Sequence, residues 1–212
     1  MTATRRPELV SLDVDGTLYS LHRARVHLAW RMMREVVHGR GGAASGEVRA
    51  LKRRARLIEE CRAAGGALDA QAQAWCLDHN LLAIERRWLA GAIARTGLRP
   101  GLLALLDRLA ARGIPAVVIS DHIAGYKLAA LGIRDRFTSL YEGVRLGWVK
   151  PSPMPFERAA ADAGVPTSTL LHIGDRDDTD GVAARSAGCR VCIIGRDIRS
   201  VREVGTSRWG LD

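Results

Sequence analysis

The sequence is poor in lysine and cysteine and has no long apolar run, and each scarcity removes a class of protein. No apolar stretch approaches the ~20 residues needed to cross a bilayer. The segment Met1-Thr2-Ala3-Thr4-Arg5-Arg6-Pro7 lacks the apolar centre of an export signal, so a soluble, cytoplasmic protein is expected. Four cysteines, at 61, 76, 189 and 192, are too few and too irregular for a disulfide framework in a chain of 212 residues. Cys189 and Cys192 have thioredoxin-like spacing, but they fall on an apparent strand, where residues three apart face opposite sides. No second Cys or His pair completes a zinc site, and core thiols are the reading. Internal repeats and low-complexity tracts are absent.

Only three lysines, at 52, 127 and 150, stand beside 29 arginines. A chain this committed to Arg that keeps Lys at three places raises the question of which one needs a compact ammonium. The net charge of +9 is uneven: residues 20–97 carry 14 Arg and Lys against 7 Asp and Glu, and the rest is nearly balanced. Such a basic surface attracts anions. A small anionic substrate is the expected partner, and nucleic acid is the competing one.

What the sequence does contain is Leu9-Val10-Ser11-Leu12-Asp13-Val14-Asp15-Gly16-Thr17, an apolar run that ends in two carboxylates and a turn. The run reads as a strand buried in a parallel sheet, with Asp13 and Asp15 on one side unless the chain has begun to curl. Two neighbouring carboxylates ionise together only beside a cation, for which a divalent metal is the economical candidate.

Between Leu21 and Arg95 the pattern is helical. Val26, Ala29, Trp30, Met33 and Val37 share one face of a first helix, Gly39 to Gly46 reads as a linker, and a second helix runs from Glu47 to Ala63. A third stretch from Leu68 to Arg95 bends near Asp78, and Trp30, Trp75 and Trp88 are expected to form the bundle core. From Pro100 onward helices and strands alternate: strands at 115–120, 139–142, 170–173 and 191–194, and helices at 100–112, 122–131, 155–163 and 180–187. Alternation of this kind predicts an α/β fold with a doubly wound parallel sheet. Residues 1–19 and 98–212 then form the core, and 20–97 form an inserted helical cap.

Ligand crevices in such sheets lie at the carboxyl ends of the strands. Four polar groups fall there: Asp13 with Asp15, Ser120 with Asp121, Lys150, and the acidic run Asp175 to Asp180. Counted from Asp175, the positions where a calcium loop needs Gly and Glu hold Asp180 and Ser186. The run is better explained as completing a Mg²⁺ site with Asp13, with Asp177 and Asp178 as bystanders. Taken alone, Ser120 would cap the 122–131 helix, Lys150 would be a surface residue, and His172 would be a packed or hydrogen-bonded strand residue.

Asp13-Val14-Asp15-Gly16-Thr17, Ser120, Lys150-Pro151 and Gly174-Asp175 with Asp180 resemble, in order and spacing, the four motifs of the haloacid dehalogenase superfamily. Its core matches residues 8–20 and about 98–195, with a type-one helical cap between. The resemblance implies a Rossmann-like core and a Mg²⁺-dependent phosphatase acting on a small phosphate monoester. Asp13 would be the nucleophile that becomes an aspartyl-phosphate and Asp15 the acid and base. Ser120 and Lys150 would bind phosphate. Asp13, Asp175, Asp180 and the backbone carbonyl of Asp15 would serve the metal. Dehalogenases of the superfamily lack the second acid, so Asp15 argues against that branch. A phosphomutase, or a phosphonate hydrolase using Lys52, are the alternatives within the family, and a nucleic-acid-binding module is the alternative outside it.

Overall fold

The apolar run after Glu8 forms β1 (Leu9–Leu12), with all four residues buried. In the computed structural model, which describes residues 6–39, 41–205 and 209–211, β1 is the centre of a five-stranded sheet. Its partners are β2 (Ala116–Ser120), β3 (Ser139–Glu142), β4 (Leu170–Gly174) and β5 (Arg190–Ile193), in the order β3-β2-β1-β4-β5. All four pairings are parallel. This is the doubly wound sheet expected from the alternation. Met1 to Arg5, where no export signal was expected, and Arg40 of the glycine linker lie outside the described residues.

Both faces of the sheet are covered, which is why its strands read as nearly continuous apolar runs. On one side Val10, Leu12, Val118, Leu171 and Ile173 pack with Leu102, Leu105 and Leu109 of α5 (Leu102–Ala111). On the other, Leu9, Val117, Ile119 and Leu170 meet Phe156, Ala159 and Ala160 of α8 (Met154–Ala163) and Ala183 and Ala184 of α9 (Val182–Ser186). Cys189 and Cys192 belong to these two opposite clusters, and all four cysteines are free thiols.

Between β1 and α5 stand four helices: α1 (Leu21–Val37), α2 (Gly41–Ala63), α3 (Ala70–Cys76) and α4 (His79–Thr96). Two expectations fail here. The glycine run is no linker, because α2 begins at Gly41 and takes Gly42 and Gly46 into its first turns. Burial of Ala44, and the bond from Trp88 Nε1 to Glu47 at 2.7 Å, anchor those turns on α4 and outweigh the poor helix propensity of glycine. The predicted face of α1 also points to solvent: Val26, Trp30, Met33 and Val37 are exposed, Trp30 by 61%. The helix turns inward a second apolar row, Leu21, Ala24, Leu28 and Met32, which lines a cavity against α2 and α4. Of the three tryptophans, Trp88 is buried and Trp75 half-buried. The bend near Asp78 is a true break, with Asp78 capping α4 through the Leu81 amide at 2.8 Å.

The four helices are tied to the core through the backbone: Val149 donates to Gly66 at 2.8 Å and Leu68 donates to Gly147 at 2.9 Å. Gly66 has φ +90°, and a Cβ there would stand 2.1 Å from the Val149 carbonyl, so only glycine permits this contact. The expected 122–131 helix is shorter, α6 (Gly125–Ala130), because Glu142 of β3 takes the amides of Ala124 and Gly125 at 2.7 and 3.1 Å and fixes where the first turn starts. A one-turn helix, α7 (Gly143–Leu146), follows β3. The acidic run after β4 opens with a π-helical turn, Asp177–Gly181, rather than an α-helix from Asp180.

Candidate active site

β1 sits where the strand order reverses, so the crevice at its carboxyl end is where an open parallel sheet binds ligands. Asp13 continues the strand by donating its amide to Ile173 at 2.9 Å, and its carboxylate is buried at that point. The chain then curls through Gly16, whose φ is +97°. A Cβ on Gly16 would fall 2.0 Å from the Asp175 carboxylate, so the absence of a side chain lets the β4 end close over the β1 turn. The curl separates the two acids: Asp13 faces Lys150, and Asp15 faces Lys127 and Tyr19.

Lys150 is buried, not on the surface, and its ammonium joins three strand ends. It donates to Asp13 Oδ1 at 2.6 Å and Asp180 Oδ1 at 2.5 Å, and approaches the Ile119 carbonyl at 3.4 Å. Asp180 is held from four directions. Besides Lys150, its carboxylate accepts from the amides of Asp175 and Arg176 at 3.2 and 3.1 Å, and His172 Nε2 lies 3.3 Å away. His172 in turn bonds Ser11 Oγ at 2.9 Å across the β1–β4 pairing, and stacks edge-on against Phe156. The expectation of a hydrogen-bonded strand histidine holds, and its bond orients an acid of the site.

Ser120 does not cap α6. Its buried hydroxyl accepts from the His122 amide at 3.3 Å and lines the crevice. Asp121 next to it accepts the Lys150 amide at 2.8 Å and pairs with Arg62 of α2 at 2.5 Å, a contact between the helical layer and the sheet. Asp177 and Asp178 face outward, Asp177 pairing with Arg185 and Arg196 and Asp178 with Arg176. The remaining acids, with Ser120 and Lys150, surround a cavity of about 140 Å³ that also meets Arg25, Arg62 and Arg176.

Electrostatics divide the carboxylates. Burial pushes Asp13 above the usual carboxylate range, with Asp180 adding to it and Lys150 opposing. Asp175 is raised to about 6 by burial and by Asp180. Burial also works to raise Asp180 and Asp15, but Lys150 and His172 hold the first well below that range, and Lys127, helped by Tyr19, does the same for the second. His122 is pulled down to about 3 by burial and Lys127, and is therefore neutral. One ligand oxygen from each of Asp13, Asp175 and Asp180 lies within 4.8 Å of the others. Three crowded acids with one ammonium among them offer the hard oxygen donors that suit Mg²⁺, and the raised pKa of two of them is what carboxylates short of a positive neighbour show.

Sequence reasoning did not place Lys127 in the site. This residue of α6 is buried, its side chain 3% exposed, and its ammonium pairs with Asp15. The scarcity of lysine was the one signal that could have pointed to it. Among the described residues, no helix is long and apolar enough to cross a membrane.

Comparison with known proteins gives a consistent picture. A sequence model of the haloacid dehalogenase-like hydrolases matches residues 7–188. A phosphoglycolate phosphatase of Neisseria gonorrhoeae is 39% identical over 90 residues, covering 41% of this chain and 36% of the relative. One from Rhodospirillum rubrum is 34% identical over 105 residues, 48% of this chain and 43% of the relative. The matches thus span less than half the length of these curated relatives. Among solved structures, a phosphatase of the same superfamily from Thermococcus onnurineus superposes with a TM-score of 0.67 at 18% identity, over 93% of this chain and 96% of that one. A 2-haloacid dehalogenase from Pseudomonas syringae gives 0.66 at 20%, over 96% and 99%.

Proposed function

Since the chain belongs to the haloacid dehalogenase-like hydrolases, we propose that it hydrolyses a small phosphate monoester through an aspartyl-phosphate on Asp13, with Mg²⁺ as cofactor. The observation that carries this reading is the pairing of Asp13 and Lys150 in a polar cavity that Asp15 also lines. Asp13, Asp175 and the backbone carbonyl of Asp15 would hold Mg²⁺, with Asp180 acting directly or through a water. Bound there, the metal would offset the repulsion between an anionic nucleophile and an anionic phosphate.

Asp13 attacks phosphorus with its free oxygen while Lys150 fixes the other. Lys150 and the Ser120 hydroxyl bind the transferring group where its charge develops. Asp15 rests ionised against Lys127 and Tyr19; as substrate enters, the phosphate's negative charge raises its proton affinity and it takes up a proton from solvent. Asp15 then gives the acquired proton to the leaving oxygen as the phosphorus–oxygen bond breaks. It next takes a proton from water, whose oxygen attacks the acyl phosphate and releases phosphate and the Asp13 carboxylate. Halide departs without a proton, so the dehalogenase chemistry of one structural neighbour would leave Asp15 without a task. Lys52, the lysine a phosphonate hydrolase would need, is exposed and lines the neighbouring cavity that Asp15 also borders, so release of phosphate from a phosphonate substrate is the test of that alternative.

The four helices α1–α4 are read as a cap over this site and the sheet as the catalytic core, divided near residues 19 and 98. Small phosphorylated metabolites are the substrate class, consistent with the names of the curated relatives. The test is Mg²⁺-dependent phosphate release from p-nitrophenyl phosphate by the intact chain. Asp13→Asn removes it under this reading, and undiminished release would overturn the assignment.

A further inference from the structure

Beside the polar cavity lies a second, of about 420 Å³, within the range of small-molecule pockets. Asp15, Leu21, Arg25 and His122 line both, so the two meet at Asp15. The walls of the larger come from three helices: Ala24, Leu28 and Met32 of α1, Val48, Leu51 and Ala55 of α2, and Leu89, Ala92 and Ile93 of α4. Its buried charges are paired, Lys127 with Asp15 and Arg54 with Glu85. Arg25 and Lys52 on its lining are exposed.

From this geometry, and resting on the phosphatase reading above, we infer that the substrate's leaving group is apolar: a phosphate ester of an aliphatic alcohol rather than of a hydroxy acid. Asp15 delivers the proton to the leaving oxygen, so that oxygen sits at the junction of the cavities. The phosphoryl group fills the polar one, and the carbon behind the oxygen enters the aliphatic one. A carboxylate among Leu28, Leu51 and Leu89 would lose its hydration, since Asp15 and Glu85 already neutralise the buried cations and the remaining ones, Arg25 and Lys52, stand at the exposed rim.

The experiment is the kcat/KM of the intact chain with Mg²⁺ on n-alkyl phosphates from methyl to hexyl, beside 2-phosphoglycolate and p-nitrophenyl phosphate. Burial of a methylene contributes about 0.8 kcal/mol, so kcat/KM should rise about fourfold per carbon until the cavity is full. Hexyl phosphate should exceed 2-phosphoglycolate. Leu28→Asn, on the half-buried wall of α1, should flatten the rise. A flat or falling series in which every ester is cleaved overturns the apolar pocket and leaves the phosphatase standing. No turnover of any ester, p-nitrophenyl phosphate included, overturns the phosphatase reading and the pocket with it.

Discussion

Replacing Lys127 with methionine keeps the hydrocarbon length and removes the ammonium that neutralises Asp15. The lysine side chain is 3% exposed and the Asp15 side chain 23%. Breaking a buried pair by deleting one partner costs about 3–5 kcal/mol. Partial exposure of Asp15 and the remaining Tyr19 hydroxyl place this case at the low end, about 3 kcal/mol. For a chain of this size that corresponds to a drop in Tm of roughly 6–12 °C. The pH dependence has a definite sign. In the wild type the folded pKa of Asp15 lies below its unfolded value of about 3.9, so its stabilisation is present above that value and is lost as pH falls through the folded pKa. In Lys127→Met, burial outweighs the remaining Tyr19 hydrogen bond and raises the folded pKa above about 3.9, so the variant loses stability as pH climbs. The gap between the two melting curves, followed by circular dichroism, should therefore widen from about pH 4 to about pH 7. Adding Asp15→Asn should recover part of the loss, because no lone charge is left behind. A gap under about 2 °C at neutral pH, or one that narrows as pH rises, would refute the pairing.

Lys150→Met should cost at least as much stability, about 3–5 kcal/mol in denaturant titration, because it strands the buried carboxylates of Asp13 and Asp180; a neutral result would contradict the role of Lys150 as their common partner. Carboxylates must be deprotonated to hold a metal. With Asp175 raised to about 6 and Asp13 raised as well, Mg²⁺ affinity by titration calorimetry should strengthen as pH rises from about 5 to about 8, and constancy over that range would count against this ligand set. Asp177→Asn and Asp178→Asn, which alter outward-facing ion pairs, should leave Mg²⁺ affinity and turnover as they are. A marked loss in either would move that acid into the site.

The sheet was legible because its strands are apolar runs closed by polar residues, and the same feature marked Asp13, Ser120 and Asp175 as strand-end groups. Lys150 and Asp180 were reachable through motif spacing. Lys127 was not, since it lies seven residues beyond Ser120 on a short helix and meets Asp15 only after the chain curls at Gly16. His172 was legible as a satisfied strand residue but not as the partner that orients Asp180, because that contact depends on the π-helical turn at Asp177–Gly181. The α1 helix misled for a different reason: it carries two apolar rows, and periodicity alone does not say which turns inward. The row that does, through Ala24, Leu28 and Met32, lines the cavity beside Asp15.

Under the proposed chemistry Asp13 carries the phosphoryl group during turnover. Rapid acid quench during turnover, followed by proteolysis and mass spectrometry, reads this directly. A peptide containing Asp13 should gain one phosphoryl group, in an adduct that is labile to mild base and absent from Asp13→Asn. A phosphorylated residue elsewhere, or turnover by Asp13→Asn with no adduct at all, would contradict that chemistry.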